Sequence, residues 1–291
     1  MQSARRLPRA WRTPGGAAQR LALYALLVAG AAAFALPFLW MVSTAFKPPW
    51  QVMIFPPQWI PAEIWWPNFT DSWGALDFGV FYRNTIFVTA MNIAGTILST
   101  SLVAFAFARL RFRGRGPLFI LLLSTMMLPS QVTLIPLYVL FSRLGWINTF
   151  LPLIAPVWLA GGPTGAFNVF LLRQFFLTIP REMDDAAKID GAGYLDIYAR
   201  LVMPMSAPAL GIIAIFTFTN NWNDFFNPLI YINTTDRYTV ALALRFYQTR
   251  LDVQMGPLMA QSLVALVPVL ALFFFAQKRY VQGIVITGVK G

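Results

Sequence analysis

The sequence has no cysteine and no histidine, and only 11% of its 291 residues are charged. Without cysteine there can be no disulfide and no thiol nucleophile; without histidine the commonest metal ligand and the side chain that titrates near neutral pH are both missing. The acids that remain are confined to loops or to the edges of apolar runs, so no catalytic set and no metal site can be assembled from them. No glycine directly precedes a lysine. The GxxxxGK phosphate loop is therefore absent, and the chain is not expected to hydrolyse ATP itself. A membrane-embedded enzyme is disfavoured on the same grounds. Soluble domains carry about a quarter charged residues; a chain that is 58% hydrophobic, with mean hydropathy +0.62, is expected to be largely dissolved in lipid.

Six runs lack any charge: Leu21–Phe46, Asn84–Ala108, Gly116–Ser142, Leu144–Leu172, Leu201–Asn223 and Val253–Gln277. Each reaches roughly the 20 residues that a helix needs to cross a bilayer. The expectation is an all-α, polytopic membrane protein with six transmembrane helices. Its organisation would be a basic tail over 1–20, a membrane domain over 21–277 that includes a cytoplasmic two-helix loop over 178–208, and a second tail over 278–291. The net charge of +11 does not imply nucleic acid, because its distribution follows membrane topology. With the first tail in the cytoplasm, the arginines of that tail, Arg109, Arg111, Arg113, Arg115, Arg173, Arg181, Lys188, Arg200, Lys278, Arg279 and Lys290 share one side. Only Lys47, Arg83, Arg143, Arg237, Arg245 and Arg250 fall on the other. Basic loops stay inside, so both termini are expected to be cytoplasmic. The first run is too long for the 7–15-residue core of a signal peptide.

The third run carries Pro129 and Pro136, and the fourth Pro152, Pro156, Gly161, Gly162, Pro163 and Gly165. Lipid cannot satisfy the backbone of a broken helix, so these segments are expected inside the bundle or beside a pathway. Polar residues of the second run (Asn92, Thr96, Ser99, Thr100, Ser101) are expected to bond neighbouring helices. The fifth run ends in Asn220, Asn221, Trp222, Asn223 and Asp224. Amides beside an aromatic ring suit a hydroxyl-rich solute such as a sugar; equally, this cluster can be an interfacial cap. An ion-coupled secondary carrier is the leading alternative, but such carriers keep charged residues within their spans, and these runs have none.

One polar stretch interrupts the apolar pattern. Residues 181–208 read REMDDAAKIDGAGYLDIYARLVMPMSAP. Pro180 suits a first helical turn, acids crowd the N-terminal end, and Gly191 can adopt the left-handed conformation that ends a helix. A second short helix is expected from about Tyr194 to Val202, with Pro204 and Pro208 breaking the chain as it re-enters lipid. The result is a bent knob with small Ala186, Ala187 and Ala192 at its surface, able to press into a groove.

The order Asp185-Ala186-Ala187, Asp190-Gly191-Ala192, then Leu201, Pro204 and Pro208, resembles the EAA loop of bacterial ABC importer permeases. Asp185 departs from the pattern's Glu, and Glu182 lies one turn earlier on the same face. Trp222-Asn223-Asp224 with Pro228-Leu229 resembles carbohydrate-importer permeases. The end of the chain, from Gln277 to Gly283 and then Thr287 to Gly291, resembles the maltose-type, MalG-like permease subunit. The resemblance implies a type I importer fold in which Glu182, Asp185, Ala186, Ala187, Asp190, Gly191 and Ala192 couple to an ATPase subunit. It implies that Thr287, Gly288 and Lys290 reach toward the ATPase subunits. It also implies a second permease subunit, two ATP-binding cassette subunits that hold ATP and Mg, and an extracytoplasmic solute-binding protein. The chain itself would hold no cofactor, and its cargo would be a carbohydrate, a polyol or a glycerol phosphate.

Overall fold

The computed structural model describes residues 17–249 and 254–288, and every regular element among them is helical. Helix α1 spans Ala17–Ala45, α2 Pro67–Ala75, α3 Phe78–Arg109, α4 Arg115–Ser124, α5 Ser130–Arg143 and α6 Leu151–Trp158. Then come α7 (Gly165–Thr178), α8 (Arg181–Ile189), α9 (Tyr194–Met205), α10 (Ala207–Trp222) and α11 (Met255–Gly288).

Helix α3 is the axis of the bundle, packing against α6, α7 and α10 along its length. Its sequence explains this position. It has no proline, and its small or polar residues Asn92, Gly95, Thr96, Thr100, Ser101, Ala104 and Ala108 recur at helical spacing and are buried. A membrane helix gains little by turning apolar residues inward, since lipid is as apolar as leucine; close approach and interhelical hydrogen bonds hold it instead. Asn92 donates to the Leu153 carbonyl at 3.1 Å, Ser99 to that of Val157 at 2.8 Å, and Ser101 shares a bond of 2.7 Å with the Tyr198 hydroxyl. Asn92, Ser99 and Ser101 thus meet the role expected of these polar groups, whereas Thr100 turns back on its own helix and donates to the Thr96 carbonyl. Conversely, α1 leaves most of its apolar surface open, with Phe34 90% exposed, and pairs chiefly with α11.

Breaks are present beside Pro129, before Pro208 and over the glycine-rich 159–164, whereas Pro136 and Pro156 lie inside helices. Residues Arg115–Met127 and Ser130–Arg143 meet at 99°, and Tyr194–Met205 meets α10 at 76°. The fourth apolar run is divided into α6 and α7 by an irregular stretch over 159–164. By length and hydropathy three described helices can cross a membrane, or up to five when each bent pair counts as one span. The six apolar runs survive as helical segments, but a run without charge is not a straight helix.

Three boundaries differ from the sequence expectation. Helix α3 starts at Phe78 and so contains Arg83, the fifth run enters its helix only at Ala207, and α11 continues past Gln277 through Gly288. The connection between α1 and α3 is not a featureless loop. Asn68 of α2 donates to the carbonyls of Ala45 and Lys47 at 2.9 and 2.8 Å, and Gln261 of α11 donates to the Ser72 hydroxyl at 2.7 Å.

Candidate functional site

The knob forms from local rules. Pro180 is the extended N-cap of α8, and Glu182 and Asp184 stand in its first turn, where the helix dipole favours anions. At the other end Gly191 has φ +86°. Its N–H donates to the Lys188 carbonyl at 3.0 Å, and the Ala192 N–H donates to that of Ala187 at 2.9 Å. These two bonds are the Schellman closure that a left-handed glycine permits. The second helix starts where the Asp196 carboxylate accepts from the Gly193 N–H at 3.4 Å. It passes through a π-helical turn over Ile197–Val202 before the bend into α10.

What fixes the knob to the bundle is a buried ion pair. Arg109, the last residue of α3, places Nε 3.3 Å from Asp184 Oδ2, and the two side chains are only 2% and 9% exposed. Arg109 also donates to the Ile179 carbonyl at 2.9 Å. Around it, Arg173 donates to the Phe107 carbonyl at 3.2 Å and Arg181 to that of Ala108 at 3.4 Å. The last carbonyls of a helix have no partner within it, and cations there also meet the negative end of its dipole. Three arginines from three places in the chain therefore knit the end of α3 to the start of the knob. Asp184 was not singled out in the sequence. Its signal was the pairing of a second acid, beside Asp185, with an arginine at the very end of an apolar run.

The expected coupling residues divide by face. Glu182, Asp185, Ala186, Asp190 and Gly191 are exposed. Asp185 pairs with Lys188 on its own helix at 3.2 Å, an exposed contact of small worth. Ala187 and Ala192, expected at the surface, instead pack partly buried against the cluster of Phe105, Ile197, Tyr198 and Val202. The reason is the ion pair, which turns the face of Asp184 and Ala187, one turn apart, toward the bundle. Sequence reasoning also passed over the apolar part of the exposed ridge, where Ile189 is 87% and Leu195 75% exposed. Thr287 and Gly288 close the backbone of α11; their side chains, and Lys290 altogether, lie outside the described residues.

The pathway candidates divide as well. Asn221 turns inward, accepting from Asn92 and donating to the Thr217 carbonyl at 2.8 Å. Trp222 is buried, its N–H on the Ala265 carbonyl at 2.9 Å and its ring stacked 5.2 Å from Phe218. Asp224 caps the helix Phe226–Tyr231, accepting from the Asn227 N–H at 3.1 Å and its amide at 2.8 Å. Only Asn220 and Asn223 are exposed, three residues apart on one face, and Asn223 donates to the Thr219 carbonyl. Asn221, Trp222 and Asp224 thus hold the structure together at this end of the bundle. The knob is at the opposite end of α10, which with 16 residues runs for about 24 Å.

Residues 97–286 match the family described as binding-protein-dependent transport system inner membrane component. The probable ABC transporter permease protein YurM of Bacillus subtilis is 34% identical over 260 residues, covering 89% of this chain and 85% of that protein. The arabinooligosaccharides transport system permease protein AraQ of Halalkalibacterium halodurans is 30% identical over 261 residues, covering 88% and 91%. The fold is shared with a crystal structure of a bacterial ABC transporter involved in the import of the acidic polysaccharide alginate. The TM-score there is 0.81 at 21% identity, with 91% of this chain and 98% of that chain covered.

Proposed function

The chain belongs to the family of inner membrane components of binding-protein-dependent transport systems, and from that premise we propose that it forms half of the translocation pathway for a carbohydrate or related polyol. It is a multi-pass permease subunit of an ATP-driven ABC importer, and ATP hydrolysis resides in partner subunits. In the proposed assembly a second, related permease completes the pathway. Two ATP-binding cassette subunits hold ATP and Mg, and a solute-binding protein delivers cargo from outside. Both termini, with tails over 1–20 and 278–291, are cytoplasmic, as are Thr287, Gly288 and Lys290. The carbohydrate class is supported by the arabinooligosaccharide permease among the relatives.

The observation that carries the coupling role is the knob's construction. A polar, two-helix projection is clipped to the central helix by Arg109 and Asp184, yet offers exposed Ile189 and Leu195 beside Glu182, Asp185, Ala186 and Asp190. Fixed on one side and open on the other, it can pass a displacement from a soluble partner to α3. The test is a single cysteine at Ile189 in the assembled importer, which the natural absence of cysteine makes clean. Cross-linking to an ATPase subunit that changes with nucleotide supports the reading. Free reaction with a bulky thiol reagent in the complete assembly, with no cross-link in any nucleotide state, sinks it.

A further inference from the structure

We propose that residues 48–62 form an interfacial anchor, an apolar outcrop seated between the hydrocarbon and the lipid headgroups where α1 leaves the bilayer. The inference does not depend on which solute is carried. Helix α1 sets the depth. Counting from Leu21, the first residue after Arg20, about 20 residues rising about 1.5 Å each use up a hydrocarbon core about 30 Å thick. That count ends near Trp40, so the chain from Ser43 onward stands in the interfacial layer.

The stretch that follows keeps its polar groups inside and its apolar groups outside. Between Lys47 and Glu63 no residue is charged, and apart from the indoles the only polar side chains are Gln51 and Gln58. Gln51 is buried and pins the segment. Its amide nitrogen donates to the Gln58 side-chain oxygen at 2.6 Å and to the Ile60 carbonyl at 3.0 Å, and its oxygen accepts from the Ala62 N–H at 2.8 Å. Pro48, Pro49, Pro56, Pro57 and Pro61 bring no N–H that would need a partner. Meanwhile Trp50, Met53, Phe55, Trp59 and Ile60 are exposed, Phe55 at 90% and Ile60 at 80%. Such an arrangement suits surroundings that are themselves largely apolar.

The outcrop is fastened to the end of α1 and continues its open face. Trp59 packs edge-on against Trp40 with ring centroids 5.0 Å apart, and the Ser43 hydroxyl donates to the Trp59 carbonyl. The Lys47 ammonium lies 3.9 Å from the centre of the same Trp40 ring, and the Trp65 N–H donates to the Phe46 carbonyl at 3.0 Å. A soluble partner's docking surface would carry a polar rim around its apolar centre, and residues 48–62 have no charge to supply one. Tryptophan favours the membrane boundary, whereas irregular backbone exposed to lipid is excluded from the hydrocarbon itself. The layer between the two meets both conditions. Through Asn68, which ties α2 to Ala45 and Lys47, and Gln261, which ties α11 to α2, the anchor fixes the depth of the neighbouring ends of α1 and α11.

The experiment uses the complete importer in nanodiscs, with a nitroxide on a single cysteine introduced by Phe55→Cys, Ile60→Cys, Phe34→Cys or Asp71→Cys, and power-saturation EPR with oxygen and with a nickel chelate. Phe34, near the middle of α1, is the lipid control, and exposed Asp71 of α2 is the aqueous one. Labels at 55 and 60 are expected about 5–10 Å into the boundary, with an oxygen-to-nickel collision ratio about threefold above that at 71 and below that at 34. Adding the binding protein should leave the ratio unchanged. In parallel, Phe55→Asp is expected to shift the melting temperature in nanodiscs downward and Phe55→Leu to leave it in place, because this side chain has almost no protein contact to lose. Nickel access at 55 and 60 equal to that at 71 overturns the anchor, as does equal melting of the Asp and Leu variants. Labels shielded from both reagents in the assembled importer, or immobilised only when the binding protein is added, would give this surface to a protein partner and overturn it as well.

Discussion

Arg109 at the end of α3 and Asp184 in the first turn of α8 meet at 3.3 Å with both side chains almost wholly buried. A buried pair adds little over an apolar replacement, but removing one partner strands a charge and typically costs about 3–5 kcal/mol. Asp184→Ala or Arg109→Ala should therefore lower thermal stability in detergent sharply and uncouple ATP turnover from the binding protein. Arg109→Met with Asp184→Leu should recover much of the stability. Full additivity of the two single losses in a double-mutant cycle would show that the residues do not act as a pair.

The two alanines of the motif should respond oppositely. Ala187 packs against the bundle, so Ala187→Leu overfills that contact, with a typical cost of about 1–3 kcal/mol. Ala186 is exposed, so Ala186→Leu should leave the melting temperature of the isolated chain unchanged and weaken capture of ATPase subunits in a pull-down. The same stability loss for both variants would contradict the division of faces.

Gly191 is the position where conformation alone is decisive. At φ +86°, with no atom within 4 Å of where a Cβ would stand, Gly191→Ala meets no steric neighbour and should cost only the left-handed backbone term, about 1–2 kcal/mol. Gly191→Asn, which tolerates this region better, should cost less. The comparison is read by thermal unfolding, and an Asn variant no better than Ala would point to a packing role instead.

These contrasts mark what a sequence can carry. The start of α8 at Pro180 and its end at Gly191 depend on residues within one turn, and both were legible. Which face of α8 turns inward depends on Arg109, far away in the chain, so Asp184 could not be told from Asp185, and Ala187 was placed on the wrong side. The apolar runs announced lipid and the prolines announced breaks. A bend of 99° between two uncharged segments is set by what the halves pack against, and hydropathy does not sense it. The amides at the end of α10 were recognisable as unusual, yet only their partners show that Asn221 belongs to the interior and Asn220 to the surface.

That last distinction gives the fourth prediction. Asn221 sits in a three-way contact: Asn92 donates both to its side-chain oxygen and to the Leu153 carbonyl, joining α3, α6 and α10. Replacing Asn221 by Leu leaves the Asn92 amide with an unmade bond in a buried place, where such a loss costs about 1–3 kcal/mol. Asn221→Leu should thus lower stability and uptake together, and Asn92→Leu in the same chain should add only the loss of the bond to the Leu153 carbonyl, less than it costs alone, because the bond between the two amides is already gone. Asn220→Ala and Asn223→Ala leave no such unmade bond, since both side chains are open. If these two line the outer end of the pathway, uptake should fall at unchanged melting temperature and unchanged subunit assembly. Transport assays beside thermal unfolding in the same nanodisc preparation separate the cases: a stability loss at Asn220 and Asn223 equal to that at Asn221 would assign all three to the structural cap and remove them from the pathway.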